Sequence, residues 1–102
     1  PFVQAAEPND LWCIDFKGWF RTGNGVRVNP LTVEDSASRY LVVCHGLRQP
    51  RGAQVRPVLG RAFREYGLPW AIRSDNGPPF ASVGLGGLSS LAVWWIKLGI
   101  LP

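Results

Sequence analysis

Apolar and polar residues alternate through the first half of the chain and recur with a helical period in the second. Leu11 to Phe20 is rich in strand-forming residues, and its opening run L-W-C-I-D-F is broken once, by Asp15. T-G-N-G follows, where Gly23, Asn24 and Gly25 can supply the positive-φ positions of a hairpin turn. V-R-V-N-P-L-T-V, residues 26–33, reads as the returning strand, with Pro30 marking an irregular or edge-like stretch. D-S-A-S is a turn and R-Y-L-V-V-C-H a third strand. This half predicts a three-stranded antiparallel meander.

From Val55 the apolar residues are Val55, Val58, Leu59, Ala62, Phe63 and Tyr66, one face of a helix. Pro57 fits only in the first turn of that helix, and Gly67-Leu68-Pro69 ends it. Arg56, Arg61 and Arg64 take the other side, a solvated face unless a nucleic-acid site lies close by. P-W-A-I-R-S-D reads as a fourth strand, parallel to an earlier one through a right-handed crossover. N-G-P-P-F-A-S-V-G-L-G-G is a loop. Ser89 or Ser90 can cap a last helix, S-S-L-A-V-W-W-I-K-L, stopped by Gly99, and I-L-P begins a further element.

The 102 residues suffice for one modest core, and 46% hydrophobic content with five Trp excludes a disordered chain. Residues 1–9 read as a leader or linker, with Pro8 and Asn9 as breakers, and residues 10–102 as the domain. The first residue is Pro rather than Met, so a piece of something longer is expected. The net charge of +4, with nine of the eleven cations Arg, favours an anionic partner such as DNA, although an ordinary basic surface has the same charge. Cys13 and Cys44 lack metal or redox spacing and lie in apolar runs, so two buried free thiols are expected. No signal peptide is expected from P-F-V-Q-A-A-E, which lacks a charged head and an apolar stretch, and L-A-V-W-W-I is too short to span a bilayer.

Asp15 raises a chemical question, because a buried carboxylate needs a hydrogen-bonding partner, a counter-charge or a metal. The fourth strand also ends in an acid, Asp75. Ligands of open α/β sheets sit at the carboxyl ends of parallel strands. If the fourth strand lies beside the first, the two carboxylates can approach each other, and they repel unless one is protonated or a cation lies between them. Hard oxygen ligands select Mg²⁺ or Mn²⁺. Alternatively, Asp75-Asn76-Gly77 is only a turn and Asp15 a hydrogen-bonded core acid.

The two acids stand in W-x-x-D, Trp12 to Asp15, and D-N-G-x-x-F, Asp75 to Phe80. In this order, with a hairpin, a strand and a helix between, the chain resembles the catalytic core of the retroviral integrase and bacterial insertion-sequence transposase family. T-V-E-D-S-A-S-R-Y-L-V-V, F-R-E-Y-G-L-P and L-A-V-W-W-I-K-L-G-I-L-P extend the likeness from about Asn9 to Pro102, and the wording is nearer the bacterial transposases. The resemblance implies an α/β, ribonuclease H-like mixed sheet: the meander, then helix, strand and helix, incomplete at the C-terminus. It implies that Asp15 and Asp75 are the first two acids of an Asp, Asp, Glu triad, with Asn76, Gly77 and Phe80 in a loop beside the site. In the family the acids hold two Mg²⁺ or Mn²⁺ ions for DNA phosphodiester hydrolysis and strand transfer.

The third acid of that triad has no counterpart: the residues after Asp75 include neither Asp nor Glu. The chain alone is therefore expected to be inactive. A hairpin centred near Asn24 sets Asp15 opposite Val33, so Asp35 shares its face and Glu34 does not, which makes Asp35 a substitute ligand to check. His45 reads as a strand-end or surface residue. Ala92 to Ile96 make the last helix apolar nearly all round, so a homo-oligomer through the Trp94/Trp95 region is expected. The remaining expectations are a DNA partner, no membrane and a bacterial, DNA-associated cytoplasmic location. Two rival functions stand beside the transposase core. One is a catalytically dead DNA-binding or oligomerisation module; the other is a ribonuclease H-like nuclease.

Overall fold

The computed structural model describes residues 6–16, 20–48, 52–74 and 90–102. Its elements are β1 (Leu11–Phe16), β2 (Phe20–Arg21), β3 (Arg27–Asp35), β4 (Leu41–Leu47), α1 (Gly52–Tyr66), β5 (Ala71–Arg73) and α2 (Ser90–Lys97). The sheet is mixed. β3 pairs antiparallel with β1 along one part of its edge, with β2 along the next part, and with β4 on its other side. β5 joins β1 in parallel, after the crossover through α1.

The meander follows from the turn chemistry. Thr22 N–H donates to Val26 O at 2.9 Å, Gly25 N–H to Thr22 O at 2.9 Å, and Gly25 takes φ 83°. Among Gly23, Asn24 and Gly25, Gly25 alone uses the positive-φ freedom. Asn24 Oδ1 accepts from the Thr22 hydroxyl and from Val26 N–H, which holds the loop without a second glycine conformation. Pro30 stands where β3 changes partner from β2 to β1, with no pairing to that side at Asn29 or Pro30 among the described residues. Its missing N–H therefore interrupts no pairing on that side among the described residues.

Two layers make the core. Trp12 and Ile14 of β1, Leu31 and Val33 of β3 and Val43 of β4 alternate onto one face of the sheet. Val55, Leu59, Ala62 and Phe63 of α1 and Leu91 and Trp95 of α2 pack on it. The Trp12 and Phe63 rings stack at 5.7 Å, and Trp94 tilts against Phe63 at 5.4 Å.

α1 begins three residues earlier than the apolar spacing predicts, at Gly52, so Pro57 lies inside the helix rather than in its first turn. The Ala53 carbonyl loses its i+4 donor, but Ala53 is exposed, so water can take the place of the missing N–H. Gly67 at φ 89° ends α1, its N–H donating to Phe63 O at 2.9 Å. α2 ends as expected at Gly99: at φ 84° it donates to Ile96 O, and Ile100 N–H donates to Trp95 O. Beyond it Leu101 pairs in parallel with Ala71, and Ile72 N–H donates to Leu101 O at 2.8 Å.

Two surface expectations change. Cys13 and Cys44 are free, but Cys13 is only half-buried and Cys44 is exposed, because β4 has one paired edge among the described residues and its Cys44 face is not the one α1 covers. Trp95 is buried in its own chain and Trp94 is half-buried under the Arg56 guanidinium, 4.8 Å from its ring. The apolar side chains that α2 leaves exposed are Val93 and Ile96.

Candidate active site

Asp15 lies in β1 with its neighbours Ile14 and Trp12 turned to the core. Alternation puts the Asp15 carboxylate on the opposite, half-open face. Its register partner is Thr32, whose hydroxyl donates to the Asp15 main-chain oxygen at 3.4 Å. Cys13 faces Glu34 on the same side, and Cys44 stands beside Thr32 on β4. Arg73 of β5 stands beside Cys13.

This register corrects the expectation for Asp35. Extrapolating from Phe20↔Val28 places Asp15 opposite Val33, but Phe16 pairs with Leu31. The chain advances four residues from Phe16 to Phe20 while β3 moves three, from Leu31 to Val28, and one residue of offset reverses every face. Asp35 therefore lies opposite Trp12 on the packed face, 4% exposed. Its Oδ2 accepts from Ser38 Oγ at 2.7 Å and closes the turn into β4. Glu34 shares the Asp15 face instead, and its carboxylate pairs with Arg39 at 3.2 Å.

His45 is exposed at the β4 edge, as expected of a surface residue. It borders a shallow recess of about 150 Å³ with Val58, Arg61 and Glu65, on the α1 side of the sheet and away from Asp15. The exposed Arg56, Arg61 and Arg64 also lie on α1, so the sheet stands between them and the Asp15 face. Asp75, Asn76, Gly77 and Phe80 lie outside the described residues. Among the described residues no group of three or more His, Cys, Asp or Glu is arranged to hold a metal ion.

The β1–β5 pairing carries the topological part of the site. It runs Leu11↔Ala71, Trp12↔Ile72, Cys13↔Arg73, a parallel ladder directed toward Asp15 on one strand and Ser74 on the other. A half-open carboxylate on a central strand, next to a parallel strand that arrives through a helical crossover, is the ground plan expected from the two motifs.

The family model of the integrase core domain matches residues 5–102. The chain belongs to the integrase core domain family. An insertion element IS407 protein of 31.7 kDa from Burkholderia multivorans is 42% identical over 81 residues, covering 76% of this integrase core chain and 28% of that protein. An insertion element IS476 protein of 39.2 kDa from Xanthomonas euvesicatoria is 41% identical over 83 residues, covering 78% of this chain and 23% of its own length. The chain thus spans about a quarter of the length of these relatives. The HTLV-2 integrase catalytic core domain, solved in a trimeric form in complex with magnesium, superposes with a TM-score of 0.78 at 16% identity, over 96% of this chain and 60% of that one. A chain of the simian T-cell lymphotropic virus intasome in complex with PP2A regulatory subunit B56 gamma gives 0.78 at 21% identity, over 97% of this chain and 35% of its own. The fold is that of the integrase catalytic core, as the motifs imply. No helix among the described residues is long and apolar enough to cross a membrane.

Proposed function

We propose that the chain is the first part of a DNA transposase catalytic core, in which Asp15 and Asp75 hold divalent metal. The observation that carries the proposal is the β1–β5 register. Ala71 pairs with Leu11, an offset of sixty, and the same offset separates Asp75 from Asp15. A ladder that kept this register for two more residues would set the two carboxylates side by side. Asp15 suits a hard cation: a carboxylate, half-buried, on a strand whose other face is locked into the core. When bound, Mg²⁺ or Mn²⁺ would activate the attacking water or 3′-hydroxyl and stabilise charge on the phosphoryl group. The contribution of the chain is to fix the anchors. Asp15 is held by its pairing with Thr32 of β3, on a strand that β5 braces from the other side as far as Cys13, and the open face leaves room for a DNA backbone. Asn76, Gly77 and Phe80 would form the loop bordering that space. DNA partnership, a bacterial cytoplasmic setting and self-association through the α2 surface belong to the same reading.

Two acids anchor metal poorly without a third, so the chain alone gives no strand transfer. Calorimetry tests the site directly. Mn²⁺ binding, weak but measurable, disappears in Asp75→Asn and in Asp15→Asn. Equal Mn²⁺ binding by all three proteins sinks the proposal. Metal-dependent DNA nicking that is lost in Asp15→Ala would show that the two acids suffice. DNA binding that is salt-sensitive, independent of metal and unchanged in Asp15→Asn would favour a binding module instead.

A further inference from the structure

Asn9 has a left-handed backbone, φ 67°, which Asn tolerates better than most residues. Its polar groups reach three different elements. Nδ2 donates to the Tyr66 carbonyl at the end of α1, at 2.7 Å. Oδ1 accepts from Trp12 Nε1 at 3.0 Å, and Trp12 is the fully buried anchor of β1. The Asn9 carbonyl accepts from Trp70 N–H at 3.0 Å, immediately before β5, and the next carbonyl, of Asp10, accepts from Ala71 N–H at 3.2 Å.

These bonds lie beside a short ladder, where few pairs secure the register. The β1–β5 ladder has three residue pairs, Leu11↔Ala71 to Cys13↔Arg73. A slip of two residues would keep every side chain on its own face, so the hydrophobic pattern does not forbid it. It would move β5 along β1 by about 6.6 Å, two strand residues. The bonds at Asn9 forbid it, because one side chain grips Trp12 and the end of α1 while its carbonyl holds the entry to β5.

We propose that Asn9 is a positioning residue that sets the β1–β5 register and, resting on the metal-site reading above, the approach of Asp75 to Asp15. A chemical ruler measures the register without metal. In the full chain carrying Cys44→Ser, an Arg73→Cys substitution puts a thiol beside Cys13, its register partner, and mild oxidation closes a disulfide. Asn9→Gly keeps the backbone conformation accessible and removes both side-chain bonds. It should slow disulfide closure about tenfold, the size expected when a buried donor loses its partner. Asn9→Asp keeps the acceptor for Trp12 but not the donor to Tyr66 and should slow closure by less. It carries the test if the glycine variant does not fold. Val55→Ala, a loss of packing on α1 away from this joint, should leave closure at the parental rate. Parental closure in Asn9→Gly (or, if that variant does not fold, in Asn9→Asp), or equal slowing in Val55→Ala, overturns the proposal. Mn²⁺ calorimetry on the same proteins separates the two readings. Slow closure with proportionally weaker Mn²⁺ binding supports both. Slow closure where even native Asn9 binds no Mn²⁺ upholds the register role and removes the metal site.

Discussion

The two faces of β1 do different work. Trp12 and Ile14 look into a layer of helices and are 0% and 2% exposed. Cys13 and Asp15, one residue away in each case, look onto a half-open face that holds Thr32, Glu34 and Cys44. One face supplies stability and the other carries the carboxylate of the proposed site, and the alternation of a strand separates them by a single peptide. The separation lets a carboxylate sit in the middle of a core strand without entering the core.

Substitutions on the two faces should therefore divide sharply. Trp12→Ala removes the stacked ring and the Asn9 bond, and should cost about 3–5 kcal/mol in denaturant unfolding. Ile14→Val on the same face should cost about 0.5–1.5 kcal/mol. Asp15→Asn, next in the chain, should change stability by no more than about 0.5 kcal/mol while abolishing Mn²⁺ binding. A loss of stability in Asp15→Asn as large as that in Trp12→Ala would erase the distinction.

The smallest effect is expected at the end of α1. The Tyr40 and Tyr66 hydroxyls are 3.2 Å apart, and this hydrogen bond, with some desolvation and the nearby Glu65, pushes Tyr66 up to about 12. A raised acid favours the neutral phenol in the folded chain. Its contribution is complete below pH about 10 and is lost as pH rises through about 12. Ultraviolet titration should show one tyrosine ionising late, and Tyr40→Phe should bring it back toward the ordinary range.

Much of this division was legible in the chain. The helical spacing from Val55, the stop at Gly67, the turn at Gly25 and the last helix ending at Gly99 are local signals, and each reappears in the structure. Pairing was less legible, because it depends on counting residues through a long hairpin. One extra residue between Phe16 and Phe20 turned Asp35 inward and Glu34 outward. Exposure at Cys44 depended on which face of β4 a distant helix would cover. Asn9 read as a breaker because its partners, Tyr66 and Trp70, lie 57 and 61 positions away and nothing local announces them.

Leu101 has a consequence for how the molecule opens. With Leu101 on the outer side of β5 and β3 on the far side of β1, the strand of Asp15 is two neighbours from either rim of the sheet. Rims fray first, so amide protons of β4 should exchange with solvent well before those of Ile14 and Asp15. The carboxylate thus rides on the segment expected to be last to breathe.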